Sequence, residues 1–379
     1  MRTDVIDAMA IAVQVGVPVL LEGPPGDAKT SIVDAVLRQL CRAHETIVLA
    51  VREPADVGGY PVDSEDGMRL KPTCWAYRLA NVSREADHRR VGVFLDELTS
   101  APPATRAAAL RGVAEGVWGE IRIPFLSVVA AQNPPELAEA GYQLSASMAN
   151  RFCHLQWELP ISEWSMGLVS GFKDPVVPWL PNGWKKHLPP TQALVAAFAQ
   201  RNPDAIRAVP KDPTSQSKAW PSLRTWTYAV QLLAACAALD HQLVVPKGQS
   251  QSDNWQLPLL LLTGCVGEGA AREFVSWASQ LDLVDPEVVL VEPRRPLPER
   301  QDQLYALLSA VTSAVLARNT VERWNQCWQF LGFVAEQGKA DIAAPAARAI
   351  ALNRPAGGGA APAAINAFLP MLKAAGIHK

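Results

Sequence analysis

The sequence predicts an α/β fold, a parallel sheet flanked by helices and followed by a helix-rich C-terminal half. Three observations predict it. Apolar runs of strand length alternate with helical patterns through the first 160 residues, one strand-to-helix junction is rich in glycine, and beyond residue 222 helical stripes recur. With 379 residues the chain is long enough for two or three domains, and 49% apolar with 19% charged residues is ordinary for a globular protein. The formal charge of −2 speaks against a surface shaped as a whole for nucleic acid. Six cysteines lie far apart, with no C-x-x-C and no zinc-site spacing, so reduced thiols in a cytoplasmic protein are expected. The longest apolar run, 257–266, holds Pro258 and Gly264 and is too short to span a bilayer, so no membrane insertion is expected.

Residues 3–14 place Val5, Ile6, Met9, Ala10 and Val13 at helical spacing that ends at Gly16, and residues 17–21 form an apolar strand. Then come Gly23, Pro24, Pro25, Gly26, Asp27, Ala28, Lys29 and Thr30, which match G-x-x-x-x-G-K-[ST] with Ala28 in place of the second glycine. Gly23 and Gly26 let backbone N–H groups converge on an anion, and the helix that opens on Lys29, Thr30 and Ser31 aims its positive end at the same point. Lys29 supplies charge to the outer phosphates of a ligand and Thr30 a hydroxyl to Mg²⁺. A functionless glycine-rich turn is the alternative; the flanking strand and helix favour the phosphate loop. Ala28 is tolerable if its position is already helical, since alanine then needs no positive φ.

Residues 30–43 continue as a helix and 46–51 as a second strand, which completes a βαβ unit. Periodicity is lost over 52–90, where Pro54, Gly58, Gly59, Pro61 and Pro72 predict turns and 64–67 a loop tip. Such a length reads as a binding loop or lid, or as a tolerated insertion. Residues 91–95 are an apolar strand ending in Asp96 and Glu97. A carboxylate at the carboxyl end of a strand beside the phosphate loop faces the metal and the γ-phosphate. Asp96 is expected to hold Mg²⁺ with Thr30, directly or through water, and Glu97 to orient and polarise the attacking water. A helix at 103–115, a tight hairpin at 116–124 and a strand at 125–131 follow. Asn133, just past that strand, can hold the lytic water or sense the γ-phosphate, or it can cap a turn. A last strand is expected at 153–158.

The order of these motifs resembles the MoxR branch of the AAA+ ATPases, together with the dynein-related group. GPPGDAKT at 23–30, FLDEL at 94–98, AAQNP at 130–134, ANRF at 149–152 and SLRTW at 222–226 carry the resemblance, which spans roughly residues 1–240. It implies a P-loop AAA+ three-layer sandwich at 1–160, a linker at 161–221, a helical lid at 222–285 and a helical C-terminal extension at 286–379. Alanine at position 28 is ordinary in similar proteins. The resemblance assigns Asn133 to sensor 1 and Arg224 to sensor 2, and makes Arg151 the arginine finger that completes a neighbouring subunit's site. A homo-oligomeric, hexameric ring is implied, acting on a protein client, often with a von Willebrand factor A domain partner. Segments 52–60 and 116–124 match insertions that face the ring's pore. That makes Val57, Tyr60 and Trp118 candidate substrate-facing residues, with packing against the protein's own sheet as the alternative.

Segment 161–221 is rich in tryptophan, proline and lysine, with one helix around 192–201. Residues 223–239, 254–266, 270–281, 300–317 and 320–337 read as helices, and 354–362 as a joint before a final helix at 363–375. Trp277, Trp324 and Trp328 sit on apolar stripes and read as core, a protein-binding face being the alternative. The function expected is hydrolysis of Mg-ATP coupled to remodelling of a protein. One rival is a nucleic-acid-stimulated motor, which predicts salt-sensitive stimulation by DNA or RNA. Another is a nucleotide-switched scaffold with little turnover, against which Lys29, Asp96, Glu97, Asn133 and Arg151 together argue.

Overall fold

A computed structural model describes residues 2–85, 90–137, 143–241, 243, 255–281, 284–357 and 362–374. These residues fall into two compact units, one of residues 2–182, 207–243 and 255–271, the other of 183–206 and 272–374.

The first unit begins α1 (Arg2–Val15), β1 (Val19–Glu22), α2 (Lys29–Leu40), β2 (His44–Val48) and α3 (Pro54–Gly58). It continues β3 (Tyr60–Ser64), β4 (Gly67–Lys71), α4 (Cys74–Ser83), β5 (Val91–Asp96), α5 (Pro103–Glu115), β6 (Val117–Trp118) and β7 (Ile121–Arg122). Then come β8 (Leu126–Gln132), α6 (Ala146–Ala149), β9 (Cys153–Gln156) and α7 (Ile161–Ser170). Five of these strands make one parallel sheet in the order β2-β5-β8-β1-β9. Parallel neighbours demand crossovers, and helices supply them. The fold is therefore the α/β P-loop sandwich expected, with a helical C-terminal part.

Successive strand residues face opposite sides of a sheet. Leu20, Val93, Leu95, Val128 and Ala130 share one buried cluster with Ala76, Leu79 and Ala80 of α4 and Ala109 and Val113 of α5. The alternate residues Val19, Leu21, Phe94 and Val129 are equally buried, and α1 and α2 lie on those strands. Burial on both faces explains why the strands read as continuous apolar runs.

Several boundaries differ from the sequence expectation. The second strand starts at His44, paired with Gly92, and stops at Val48, where Leu49–Val51 winds into a 3-10 turn. The aperiodic stretch 52–90 holds α3, the β3–β4 hairpin and α4. Its turn residues hid an ordinary helical stripe, Ala76, Leu79 and Ala80. Val57 and Trp118 are buried, and the Trp118 ring meets Trp75 edge-on at 5.1 Å, so neither faces a substrate; only Tyr60 of the three candidates is exposed.

In the second unit, Leu188–Arg201, Pro286–Val291, Gln301–Ala317, Val321–Glu336 and Ala340–Leu352 are helices, and Ala363–Phe368 is a 3-10 segment leading into Leu369–Ala374. Its core includes Trp324, Trp328, Leu331 and Phe368; the two tryptophans stand edge-to-face at 6.0 Å. Trp277 is buried beside Phe198 and Phe274. All three tryptophans are thus core. The expected joint at 354–362 lies partly outside the described residues. All six cysteines are free thiols, five of them buried, and burial pushes Cys41 and Cys327 up to about 12. Among the described residues no helix is long and apolar enough to cross a membrane.

Candidate functional site

β1, β5 and β8 are neighbours in the sheet, so their carboxyl ends bring Gly23, Asp96 and Gln132 to one edge. The turn after β1 is shaped by two glycines. A Cβ on Gly23 would stand 2.2 Å from the Trp157 carbonyl oxygen, and Gly26 has φ +88°. The turn is braced from outside by the exit of β9. Trp157 N donates to Glu22 O (2.7 Å), Trp157 Nε1 to Asp27 O (2.7 Å) and Leu159 N to Asp27 Oδ2 (3.2 Å).

Ala28 departs from expectation. It stands at φ 57°, ψ 28°, immediately before α2, in the left-handed region and not in the helix. The condition under which alanine would be free of strain does not hold, and a glycine would sit there more easily. Lys29 begins α2 and is buried. Its ammonium donates to Gly23 O (2.7 Å), Pro24 O (2.7 Å) and Asn133 Oδ1 (2.8 Å). Burial lowers its pKa from the ordinary lysine value, against the opposing pull of Glu97, Asp96 and Asp27.

Thr30 Oγ1 donates to Asp96 Oδ2 at 2.7 Å, and Asp96 Oδ1 accepts from the Glu97 amide at 2.9 Å. Two hard oxygens at hydrogen-bond distance beside a phosphate loop are the donor chemistry Mg²⁺ takes, so Thr30 and Asp96 fit the metal. Glu97 has φ 57°, an unusual conformation for a glutamate. Its Oε2 accepts from Ser100 Oγ (2.9 Å) and from Asn133 Nδ2 (3.4 Å). Asn133 therefore bridges Lys29 and Glu97.

The structure does not bring every expected residue to this edge. Arg151 lies between α6 and β9, at the amino end of a strand whose carboxyl end borders the loop. On the order of 10 Å of strand separates the two ends. The Arg151 guanidinium donates to Ser147 O, and its Nε is buried with no hydrogen-bond partner among the described residues. Burial holds its pKa down, Arg224 adds to that, and Tyr228 and Glu115 oppose it. Arg224 is exposed in the first turn of the helix Leu223–Ala237. That helix is tied to the Arg151 turn by Asn150, whose Oδ1 accepts from Ser222 Oγ (2.7 Å) and whose Nδ2 donates to Trp220 O (3.2 Å).

Sequence reading missed Ser100, Asn150, Trp157 and a polar ladder under the loop. Gln132 Nε2 and Gln156 Nε2 donate to the two oxygens of Glu22 at 2.5 and 3.1 Å. The signal was present as three polar residues closing three apolar strands.

Among solved structures that match, the chain is similar to a crystal structure of a provisionally assigned ATPase from Cytophaga hutchinsonii. The two are 19% identical, with 62% of this chain and 75% of that one covered and a TM-score of 0.39. No family model matches, and no curated protein matches.

Proposed function

We propose that this protein is an ATP hydrolase of the AAA+ type, similar to the MoxR group, that works as a ring. The observation that supports it most is the run Lys29–Asn133–Glu97 beside the pair Thr30–Asp96, five side chains from three adjacent strand ends. Lys29 and the loop amides hold the β- and γ-phosphates of ATP. Thr30 and Asp96 hold Mg²⁺, which when bound neutralises charge on the phosphate oxygens. Glu97, fixed by Ser100 and Asn133, accepts a proton from water as the water oxygen attacks the γ-phosphorus. The bond to the β–γ bridging oxygen breaks and ADP and phosphate leave. Arg151, remote from its own loop along β9, serves the phosphates of a neighbouring copy, where its charge stabilises the transferring phosphoryl group. Turnover then depends on assembly, which makes coupling to a protein client possible. Arg224, beside Arg151 at that boundary, is assigned to the same end of the site.

The test is Glu97→Gln. ATP affinity should remain within a few-fold of wild type while turnover falls at least 100-fold, the scale of a lost general base. Turnover at the wild-type rate would remove Glu97 from its assigned role.

A further inference from the structure

Three polar side chains close neighbouring strands on one rung of the sheet. Glu22 of β1 stands opposite Gln132 of β8 on one side and Gln156 of β9 on the other. Residues directly opposite in a sheet share a face. The Glu22 carboxylate accepts from both amides, at 2.5 Å from Gln132 Nε2 and 3.1 Å from Gln156 Nε2. The two contacts differ in setting. Gln156 is exposed, whereas Gln132 is 3% exposed and its Oε1 is buried with no hydrogen-bond partner among the described residues. A buried acceptor left without a donor is costly. A carboxylate accepts and does not donate, so Glu22 dictates which way the Gln132 amide turns, and the orphaned oxygen is the consequence. The buried end of the rung is thus a short, charge-assisted bond.

Gln132 also stands where the phosphate loop meets Asn133. Its carbonyl accepts from the Gly23 amide at 3.3 Å, and the next residue along the chain is Asn133, whose side chain joins Lys29 to Glu97. The bond to Glu22 is the shorter of these two ties between the end of β8 and that of β1. We propose that Glu22 and Gln132 are a positioning pair: their bond sets the end of β8, and with it the Asn133 amide, against Lys29 at the place of the γ-phosphate. Neither side chain needs to touch nucleotide; the pair acts through Asn133. This rests on the hydrolysis reading above, which puts ATP in the loop. ADP lacks the phosphate that Asn133 would meet, so the pair should matter for ATP and little for ADP.

The test compares the wild-type chain with Gln132→Met, with Gln132→Glu and with the swap that joins Glu22→Gln to Gln132→Glu. Gln132→Met removes the amide together with its orphaned oxygen, so the fold is kept and the tie is lost. Gln132→Glu sets two carboxylates against each other. In the swap, the new amide at position 22 donates to the new carboxylate at position 132, its oxygen accepts from Gln156 Nε2, and the wild-type charge is kept. Competition with a fluorescent nucleotide reads affinity for ADP and for a non-hydrolysable ATP analogue; phosphate release reads turnover. Circular dichroism and the thermal midpoint check the fold. Both single variants should lose about tenfold in turnover and in preference for the ATP analogue over ADP, the worth of one charge-assisted hydrogen bond. ADP affinity should stay within about threefold, and the swap should bring turnover and preference back to within about threefold of wild type. Three results would each overturn the proposal: single variants that keep both properties, a swap that melts like wild type without recovering them, or analogue and ADP weakened alike, the mark of a merely structural tie. A wild type without turnover, whose preference is lost in the single variants and regained in the swap, would remove the hydrolysis reading and leave the positioning pair standing.

Discussion

Ala28, Glu97, Phe125 and Asp240 are the described residues other than glycine that hold a positive φ, and the first two flank the loop chemistry. A left-handed alanine costs about 1–2 kcal/mol, while glycine gives part of that back through its freer unfolded chain. Ala28→Gly should therefore raise stability by about 0.5–1 kcal/mol in denaturant titration and leave ATP binding intact; a loss of stability would contradict the backbone geometry. The loop's residue types were legible in the sequence because phosphate binding demands glycine, lysine and threonine at fixed spacing. The sign of φ at Ala28 was not, since it depends on where α2 begins, and apolar periodicity marks that only to within a turn. Trp157 and Gln156 were hidden for another reason: their contacts join separate stretches of chain, and only the sheet order brings those stretches together.

The β6–β7 hairpin shows the same limit at the scale of an element. Its glycines and alternation predicted the turn, and Val117–Trp118 pairs with Ile121–Arg122 as expected. Alternation defines two faces without saying which one meets the core. Trp118 faces inward, against Trp75, and a Cβ on Gly112 of α5 would lie 2.4 Å from its ring. Trp118→Ala should cost about 3–5 kcal/mol, the usual penalty for emptying a large aromatic site. A thermal midpoint within a degree or two of wild type would show that the ring is not structural. The stretch between β2 and β5 was read as one long loop for a kindred reason. Proline and glycine punctuate it so densely that the short helices between them fall below the length at which a 3.6-residue period stands out.

At the scale of the whole molecule, the residues proposed for hydrolysis are divided between the two ends of the strands of one sheet. With Lys29 at the carboxyl end of β1 and Arg151 at the amino end of β9, specific ATPase activity should rise with protein concentration. Arg151→Ala should lower it at least 100-fold without weakening ATP binding. Equal activity in dilute and concentrated samples would refute the shared site. The sheet order was not readable from sequence, because parallel strands owe their neighbours to crossovers and not to local pattern. That order also fixes a schedule. β1 is made early, yet its partners are residues 129–132 and 153–156. At roughly 5–20 residues per second, the strand behind the phosphate loop waits several seconds or more, until the ribosome has delivered Gln132 for one edge and Gln156 for the other. The newborn chain thus carries an apolar strand with unpaired edges through much of the domain's synthesis, a demand for early chaperone shelter written into the topology.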